Sequence, residues 1–212
     1  MLFDLDGTLL DTIEDLADCM NATLAADGLP TVPTEQHKLM VGDGVRAYVL
    51  RALPEERHGD EDYLRDFTAR FRMRYGENWA NKTRPYDGVP ELLQRLGEIG
   101  LPMAILSNKP DHATRGIVEH FLSAFTFAVV RGAMDGMSLK PDPAPALAVA
   151  REVGVEPAGF VYLGDTATDM QTARAAGMFA VSALWGFRGR DELLAAGAQR
   201  LIEHPPELLT LL

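Results

Sequence analysis

One cysteine, Cys19, stands in 212 residues, so no internal disulfide can form. A chain that does without disulfides fits a reducing, cytoplasmic setting. Basic residues are also scarce: 20 Lys and Arg face 31 Asp and Glu, for a formal charge of −11. A surface this acidic argues against nucleic acid and anionic membranes as main partners. Small anionic substrates stay open, because they respond to local potential. No apolar run approaches the ~20 residues of a membrane span. The start shows no basic segment followed by a long apolar one, so no signal peptide is expected. The five histidines (His37, His58, His112, His120, His204) form neither an H-E-x-x-H pattern nor a close pair, so they read as surface or satisfied side chains. There is no internal repeat and no low-complexity tract.

Hydrophobic residues at 47% and charged residues at 24% describe a packed globule, and the length allows one large domain or a core with a smaller insert. The organising stretch is Phe3-Asp4-Leu5-Asp6-Gly7-Thr8-Leu9-Leu10. Apolar residues run into two aspartates, and a glycine then breaks the run, as where a buried strand reaches the edge of a sheet and turns. Positions i and i+2 of a strand face one side, so both carboxylates start toward one space. Two carboxylates this close repel unless a proton or a cation lies between them, and a hard divalent ion such as Mg2+ prefers oxygen ligands. Only Met1, Leu2 and Phe3 precede Asp4, so this strand is short or begins upstream.

From Thr12 the pattern turns helical. Ile13, Leu16, Ala17, Met20 and Leu24 make one stripe, and Leu64, Phe67, Phe71 and Tyr75 another. Thr34 reads as a helix N-cap. No convincing strand falls between Thr12 and Asn81, so the block reads as a helical insert. After it, apolar runs alternate with helices: Met103–Leu106, Phe127–Val130, Phe160–Leu163 and Phe179–Val181 read as strands of right-handed βαβ units and a parallel sheet. The end, Pro205 to Leu212, reads as a short helix packed on the sheet.

Ligands of such sheets sit beyond the carboxyl ends of the strands. There this sequence places Asp4 and Asp6, Ser107 and Asn108, and Asp165 with Asp169 one helical turn on; Lys140 lies in the loop before the strand that ends in Asp165. Singly, Ser107 could be a helix cap, Lys140 a solvated lysine, and Asp165 and Asp169 a cap and a first-turn charge. Jointly they suit phosphoryl transfer through a carboxylate. Such attack on an anionic phosphate needs its charge cancelled by a metal ion and a lysine. Ser107 can donate to a phosphoryl oxygen, and a second carboxylate must protonate the leaving alkoxide and then activate water. Asp4 and Asp6 supply two carboxylates with separable roles.

Four motifs, Asp4-Leu5-Asp6-Gly7-Thr8, Ser107-Asn108-Lys109-Pro110, Leu139-Lys140-Pro141-Asp142-Pro143 and Gly164-Asp165-Thr166 with Asp169, resemble in order and spacing those of the haloacid dehalogenase-like hydrolases, phosphoglycolate phosphatase-like branch. The resemblance implies an α/β fold: a Rossmann-like parallel sheet core (1–11 and 83–212) with an inserted helical cap (12–82). It implies Asp4 as nucleophile and Asp6 as general acid/base. Mg2+ would be held by the Asp4 side chain, the Asp6 backbone carbonyl and Asp165. Thr8 would support the site, and Asp169 would support the metal's waters or bind it weakly. Ser107, the Asn108 backbone and Lys140 would hold the phosphoryl group. The retained Asp6 argues against true haloacid dehalogenases.

Substrate choice would then lie in the cap, hinged at Asp11-Thr12 and Asn81 to Pro85. The Gly42-Asp43-Gly44-Val45-Arg46 turn resembles the branch's substrate-facing loop, and the fork of Arg46 suits a substrate carboxylate such as that of glycolate. The expectation is a cytoplasmic Mg2+-dependent phosphatase of a small phosphorylated metabolite, 2-phosphoglycolate first, acting as a monomer or homodimer. The alternatives are a pyrophosphatase, a nucleotidase, a sugar phosphatase, a β-phosphoglucomutase-like phosphotransferase, or a binding protein on the same fold. Phosphonoacetaldehyde hydrolase would need a Schiff-base lysine in the cap; Lys38 is there, but nothing marks its position as catalytic.

Overall fold

The computed structural model describes residues 1–212. The chain starts in β1 (Leu2–Phe3), turns through 4–9 and leaves along β2 (Leu10–Asp11). Two residues suffice for β1 because both are fully buried and both edges are paired: Leu2 aligns with Ala104 on one side and Tyr162 on the other. Residues Thr12–Arg84 form one compact unit, and Met1–Asp11 with Pro85–Leu212 form the other. The second crossing thus falls between Arg84 and Pro85, two residues beyond the sequence boundary.

The smaller unit holds α1 (Ile13–Ala26), α2 (Thr34–Met40), α3 (Val45–Ala52) and α4 (Glu61–Asn78). The two stripes read from sequence are its core: Leu16, Met20 and Leu24 of α1 and Leu64, Phe67, Phe71 and Tyr75 of α4 are all buried, and these helices pack on each other. Asp60 caps α4 by accepting from the Tyr63 N–H at 3.0 Å. Pro33, not Thr34, holds the N-cap position of α2; proline's fixed φ suits the extended residue there. Gly44 opens α3 at φ +89°, a conformation that other residues resist. Asp15, in the first turn of α1, is buried and takes the Lys82 N–H at 3.0 Å, and both the Thr83 N–H and hydroxyl at 2.8 Å. Residues 82 and 83, within the expected hinge Asn81 to Pro85, are therefore tied to the start of α1 inside the smaller unit.

The chain re-enters along β3 (Arg84–Pro85), where the Tyr86 N–H donates to Leu9 O at 3.2 Å. Then α5 (Val89–Glu98), β4 (Ala104–Pro110), α6 (Asp111–Leu122), β5 (Val129–Ala133), α7 (Ala144–Val153), β6 (Val161–Gly164), α8 (Ala167–Ala175), β7 (Phe179–Ala183), α9 (Arg190–Ala195) and β8 (Arg200–Ile202) follow. The six-stranded sheet has the order β5-β4-β1-β6-β7-β8 and every pair is parallel. The fold is α/β and Rossmann-like. Strands alternate their faces. Leu2, Ala104, Leu106, Tyr162 and Ala180 meet residues of α7, α8 and α9 in one core cluster, while Phe3, Ile105, Leu163 and Val181 are buried on the other face. Both faces being covered explains the nearly continuous apolar runs.

Two sequence expectations change here. β4 runs on through Ser107, Asn108 and Lys109 to Pro110, because β5 stays paired beside it out to Ala133, across a register shift. The C-terminal segment is a 3-10 helix, Pro205–Leu211, resting on α5 and β8. α9 and β8 were not expected, since neither carries a strong periodic pattern. No helix is long and apolar enough to cross a membrane.

Replacing Asp15 by Ala leaves three donors without their acceptor, the two of Thr83 buried and that of Lys82 part-buried. We expect it to cost about 2–4 kcal/mol, measured by denaturant unfolding. Asp15→Asn, which keeps one acceptor oxygen, loses less.

Candidate active site

The chain runs outward from β1 through β4 and β5 on one side, then returns to β6 on the other. The resulting crevice lies at the carboxyl ends of β1, β4 and β6. Into it come Asp4, which follows β1, Ser107 on β4, and Asp165, which follows β6. The backbone sets the first: the Asp4 N–H donates to Leu163 O at 2.9 Å, continuing the β1–β6 ladder.

Asp4, Asp165 and Asp169 are all buried, and their nearest carboxylate oxygens lie within 4.8 Å of one another. Lys140 is buried among them. Its Nζ is 2.8 Å from Asp4 Oδ1 and 2.7 Å from Asp169 Oδ1, and it also donates to Leu106 O at 3.2 Å. Lys140 thus pairs with two of the three carboxylates, while Asp165 feels the charge of Arg188. Burial, then the charge of Asp169, pushes the Asp4 carboxyl well above its usual range, against the pull of Lys140. Burial, then Asp169, raises Asp165 from 3.8 to about 7. Burial disfavours the charge on Lys140, but Asp169 and Asp4 outweigh it and hold its pKa well above the ordinary value.

The donors around each carboxylate separate their roles. Asp169 Oδ1 accepts from Lys140 Nζ and from the Tyr162 hydroxyl at 3.1 Å. Its Oδ2 accepts from the Asp165 and Thr166 N–H groups and from the Thr166 hydroxyl at 2.7 Å. A carboxylate offers about four lone-pair sites, and these five donors fill them. Asp169 closes a capping box on α8 with Thr166 and aims Lys140. Asp165 accepts one bond at each oxygen, from the Thr8 hydroxyl and the Phe187 N–H, both at 2.8 Å. That leaves lone pairs on Asp165, as on Asp4, free for a cation.

The fit for Mg2+ follows from this donor set: hard oxygen donors in a pocket with surplus negative charge. Asp4 and Asp165 are the side chains that would hold it. The Asp6 side chain takes no part in this cluster; it lies against Lys109, whose Nζ is 2.7 Å from Asp6 Oδ1. Ser107 is buried, and its Oγ accepts from the Lys109 N–H at 3.2 Å. Asn108 does something the sequence did not show. Its side-chain amide donates to Lys140 O at 3.0 Å and accepts from the Lys140 N–H at 2.9 Å, clamping the lysine's backbone.

Sequence reading also missed the segment after β7. Trp185 donates its indole N–H to Thr8 O at 3.0 Å, and Phe187 holds Asp165. Between them, any Cβ at Gly186 would overlap the Asp165 side chain. Gly7, at φ +86°, is closed in by the Asp165 carboxylate in the same way. The available signal was a Trp-Gly-Phe turn at a fifth strand end. The remaining residues singled out from sequence lie in the smaller unit: Arg46 follows Gly44 and points its fork at Glu61 at 2.7 and 3.1 Å, both side chains being exposed.

A family model described as "Haloacid dehalogenase-like hydrolase" matches residues 1–183, and the chain belongs to that family. Among named relatives it is similar to the phosphoglycolate phosphatase of Xanthomonas campestris pv. campestris (strain 8004), 37% identical over 98% of this chain and 93% of that protein. It is 33% identical to the N-acetylmuramic acid 6-phosphate phosphatase of Pseudomonas aeruginosa, over 100% of this chain and 93% of that one. A crystal structure of a "predicted phosphoglycolate phosphatase" from Haemophilus somnus 129pt superposes with a TM-score of 0.92 at 27% identity, covering 99% of this chain and 96% of that one.

Two outcomes are expected. A carboxyl whose pKa is raised on folding binds its proton more tightly in the folded state. Its contribution to stability is present below its unfolded pKa and lost as pH rises through the folded value. Without divalent ions, thermal stability should therefore fall between about pH 4 and 7, the window set by Asp165. Mg2+ should reduce that fall, since binding favours the ionised form. A flat melting profile in the presence of chelator contradicts the charge surplus. Gly186→Ala should weaken Mg2+ binding by about tenfold or more, measured by calorimetry on the folded variant.

Proposed function

We propose that this hydrolase is a Mg2+-dependent phosphatase of small phosphate monoesters, with 2-phosphoglycolate as its substrate and glycolate and phosphate as products. The observation that carries the reading is the Asp4–Lys140 pair at the end of β1, 2.8 Å apart, beside Ser107 and Asp165. Asp4 attacks phosphorus: a bond forms from its carboxylate oxygen, the bond to the leaving oxygen breaks, and Asp6 gives that oxygen a proton. Water then attacks the aspartyl-phosphate, Asp6 takes its proton, and Asp4 is released. Lys140 offsets negative charge on the phosphoryl oxygens, the Ser107 hydroxyl donates to one of them, and the Asn108 N–H faces the same group. Bound Mg2+ would add positive charge where it develops in the transition state.

The substrate is supported by the Xanthomonas campestris relative. One observation favours a second reading, a sugar-phosphate substrate: the Pseudomonas aeruginosa relative named for N-acetylmuramic acid 6-phosphate. Both names denote a phosphate ester that also carries a carboxylic acid. A role for Arg46 toward that carboxylate needs its fork to leave Glu61. The helical unit 12–84 as the cap that selects the leaving group, and a cytoplasmic setting fitting the lone free Cys19, belong to the same proposal.

The test is phosphate release from a panel of esters with and without Mg2+. The expected result is Mg2+-dependent turnover that prefers 2-phosphoglycolate and falls about 10⁴-fold or more in Asp4→Asn. Preference for the amino-sugar phosphate selects the second reading; turnover that survives Asp4→Asn contradicts the mechanism. Arg46→Ala should lose more on esters with a carboxylate than on those without.

A further inference from the structure

Lysine is rarely buried unless paired, yet the side chain of Lys109 is only 5% exposed. Its Nζ meets both oxygens of Asp6, at 2.7 and 2.9 Å, and the Asp6 side chain is itself only 12% exposed. The backbone of Lys109 is held as firmly. Its N–H donates to Ser107 Oγ at 3.2 Å, its carbonyl accepts from the Thr114 hydroxyl at 3.2 Å, and Pro110 follows directly. Behind it, any Cβ at Gly132 would crowd the same carbonyl oxygen at 2.6 Å. A rigid strand end thus delivers an ammonium to the one active-site carboxylate that lies outside the Asp4–Asp165–Asp169 cluster.

The Asp6 carboxyl has two rotatable bonds, and proton exchange with a leaving oxygen tolerates little misplacement. Asp6 also directly precedes Gly7, where the backbone turns at φ +86°, so the backbone alone does not orient its side chain. An ammonium touching both oxygens removes that freedom. We propose that Lys109 is a positioning residue that holds the Asp6 carboxyl in register with the leaving-group oxygen, and later with the attacking water. This rests on the reading of Asp6 as the acid/base of the reaction. In the first step the Asp4–phosphorus bond forms, the bond to the leaving oxygen breaks, and that oxygen gains a proton from Asp6. In the second the water–phosphorus bond forms, the Asp4–phosphorus bond breaks, and Asp6 regains a proton from water. Lys109 touches neither phosphorus nor the leaving oxygen; it acts through Asp6.

The consequence is a dependence on leaving group that a purely structural ion pair does not produce. Glycolate must leave with a proton, whereas p-nitrophenolate leaves as a stable anion. The experiment compares kcat/KM for 2-phosphoglycolate and p-nitrophenyl phosphate in the Mg2+-loaded wild type, Lys109→Met, Lys109→Gln, Lys109→Arg and Asp6→Asn. The neutral Lys109 variants should lose about 10–100-fold on 2-phosphoglycolate and stay within about threefold on p-nitrophenyl phosphate. They should also show a burst of p-nitrophenolate, because Asp4 is phosphorylated but water attack is slowed. Lys109→Arg should recover part of the loss. If Asp6→Asn shows the leaving-group split and the neutral Lys109 variants lose equally on both esters, or on neither, the positioning role is overturned. Unfolding of both neutral variants, judged by circular dichroism, overturns it too, in favour of a structural pair. If Asp6→Asn itself shows no split, the acid/base reading fails first and takes this inference with it.

Discussion

Three buried carboxylates crowd together at the end of β1 with one buried ammonium paired to two of them, and much of the surrounding structure answers that imbalance. Desolvated like charges raise each other's pKa and cost stability unless protons or cations offset them. Lys140 supplies one positive charge, at 2.8 Å from Asp4 and 2.7 Å from Asp169. The remaining negative charge is the electrostatic reason why this cluster would favour a divalent ion. A single ammonium also leaves Asp4 partly uncompensated, which suits the nucleophile role proposed for it.

Holding such a cluster takes more rigid scaffolding than the charges themselves provide. Asp169 spends its whole acceptor capacity on Lys140, Tyr162, Thr166 and the Asp165 N–H. The Asn108 amide fixes the backbone of Lys140. Thr8 and Phe187 set the plane of the Asp165 carboxylate, with Gly7 and Gly186 allowing the approach. Lys109, on β4, pairs with Asp6 as Lys140, in the turn before α7, pairs with Asp4. The two lysines thereby divide the aspartates into a crowded cluster around Lys140 and one carboxylate, Asp6, held apart against Lys109.

The parallel sheet, the helical insert and the principal side chains were legible in sequence for a common reason. Buried strands leave unbroken apolar runs such as Phe160–Leu163, and the acidic and polar side chains stand directly at their ends. α1 and α4 announced themselves by stripes of period 3.6. What stayed hidden depends on pairing across the fold. Ser107, Asn108 and Lys109 look like a loop until β5 is seen beside them. Asp169 reads as a helix-end charge until its five donors are counted. Arg46 has the right chemistry for a carboxylate, but Glu61, fifteen residues away, supplies one. The role of Asp15 rests on contacts 67 and 68 residues distant, beyond any local pattern.

The most direct test of the account is to mix the Mg2+-loaded enzyme with 2-phosphoglycolate, quench in acid within milliseconds, and map any phosphoryl adduct by mass spectrometry. An adduct on Asp4, absent in Asp4→Asn and accumulating in Asp6→Asn, is the expected result. An adduct elsewhere, or turnover with none, would contradict the claim that the carboxylate cluster at the end of β1 carries the chemistry.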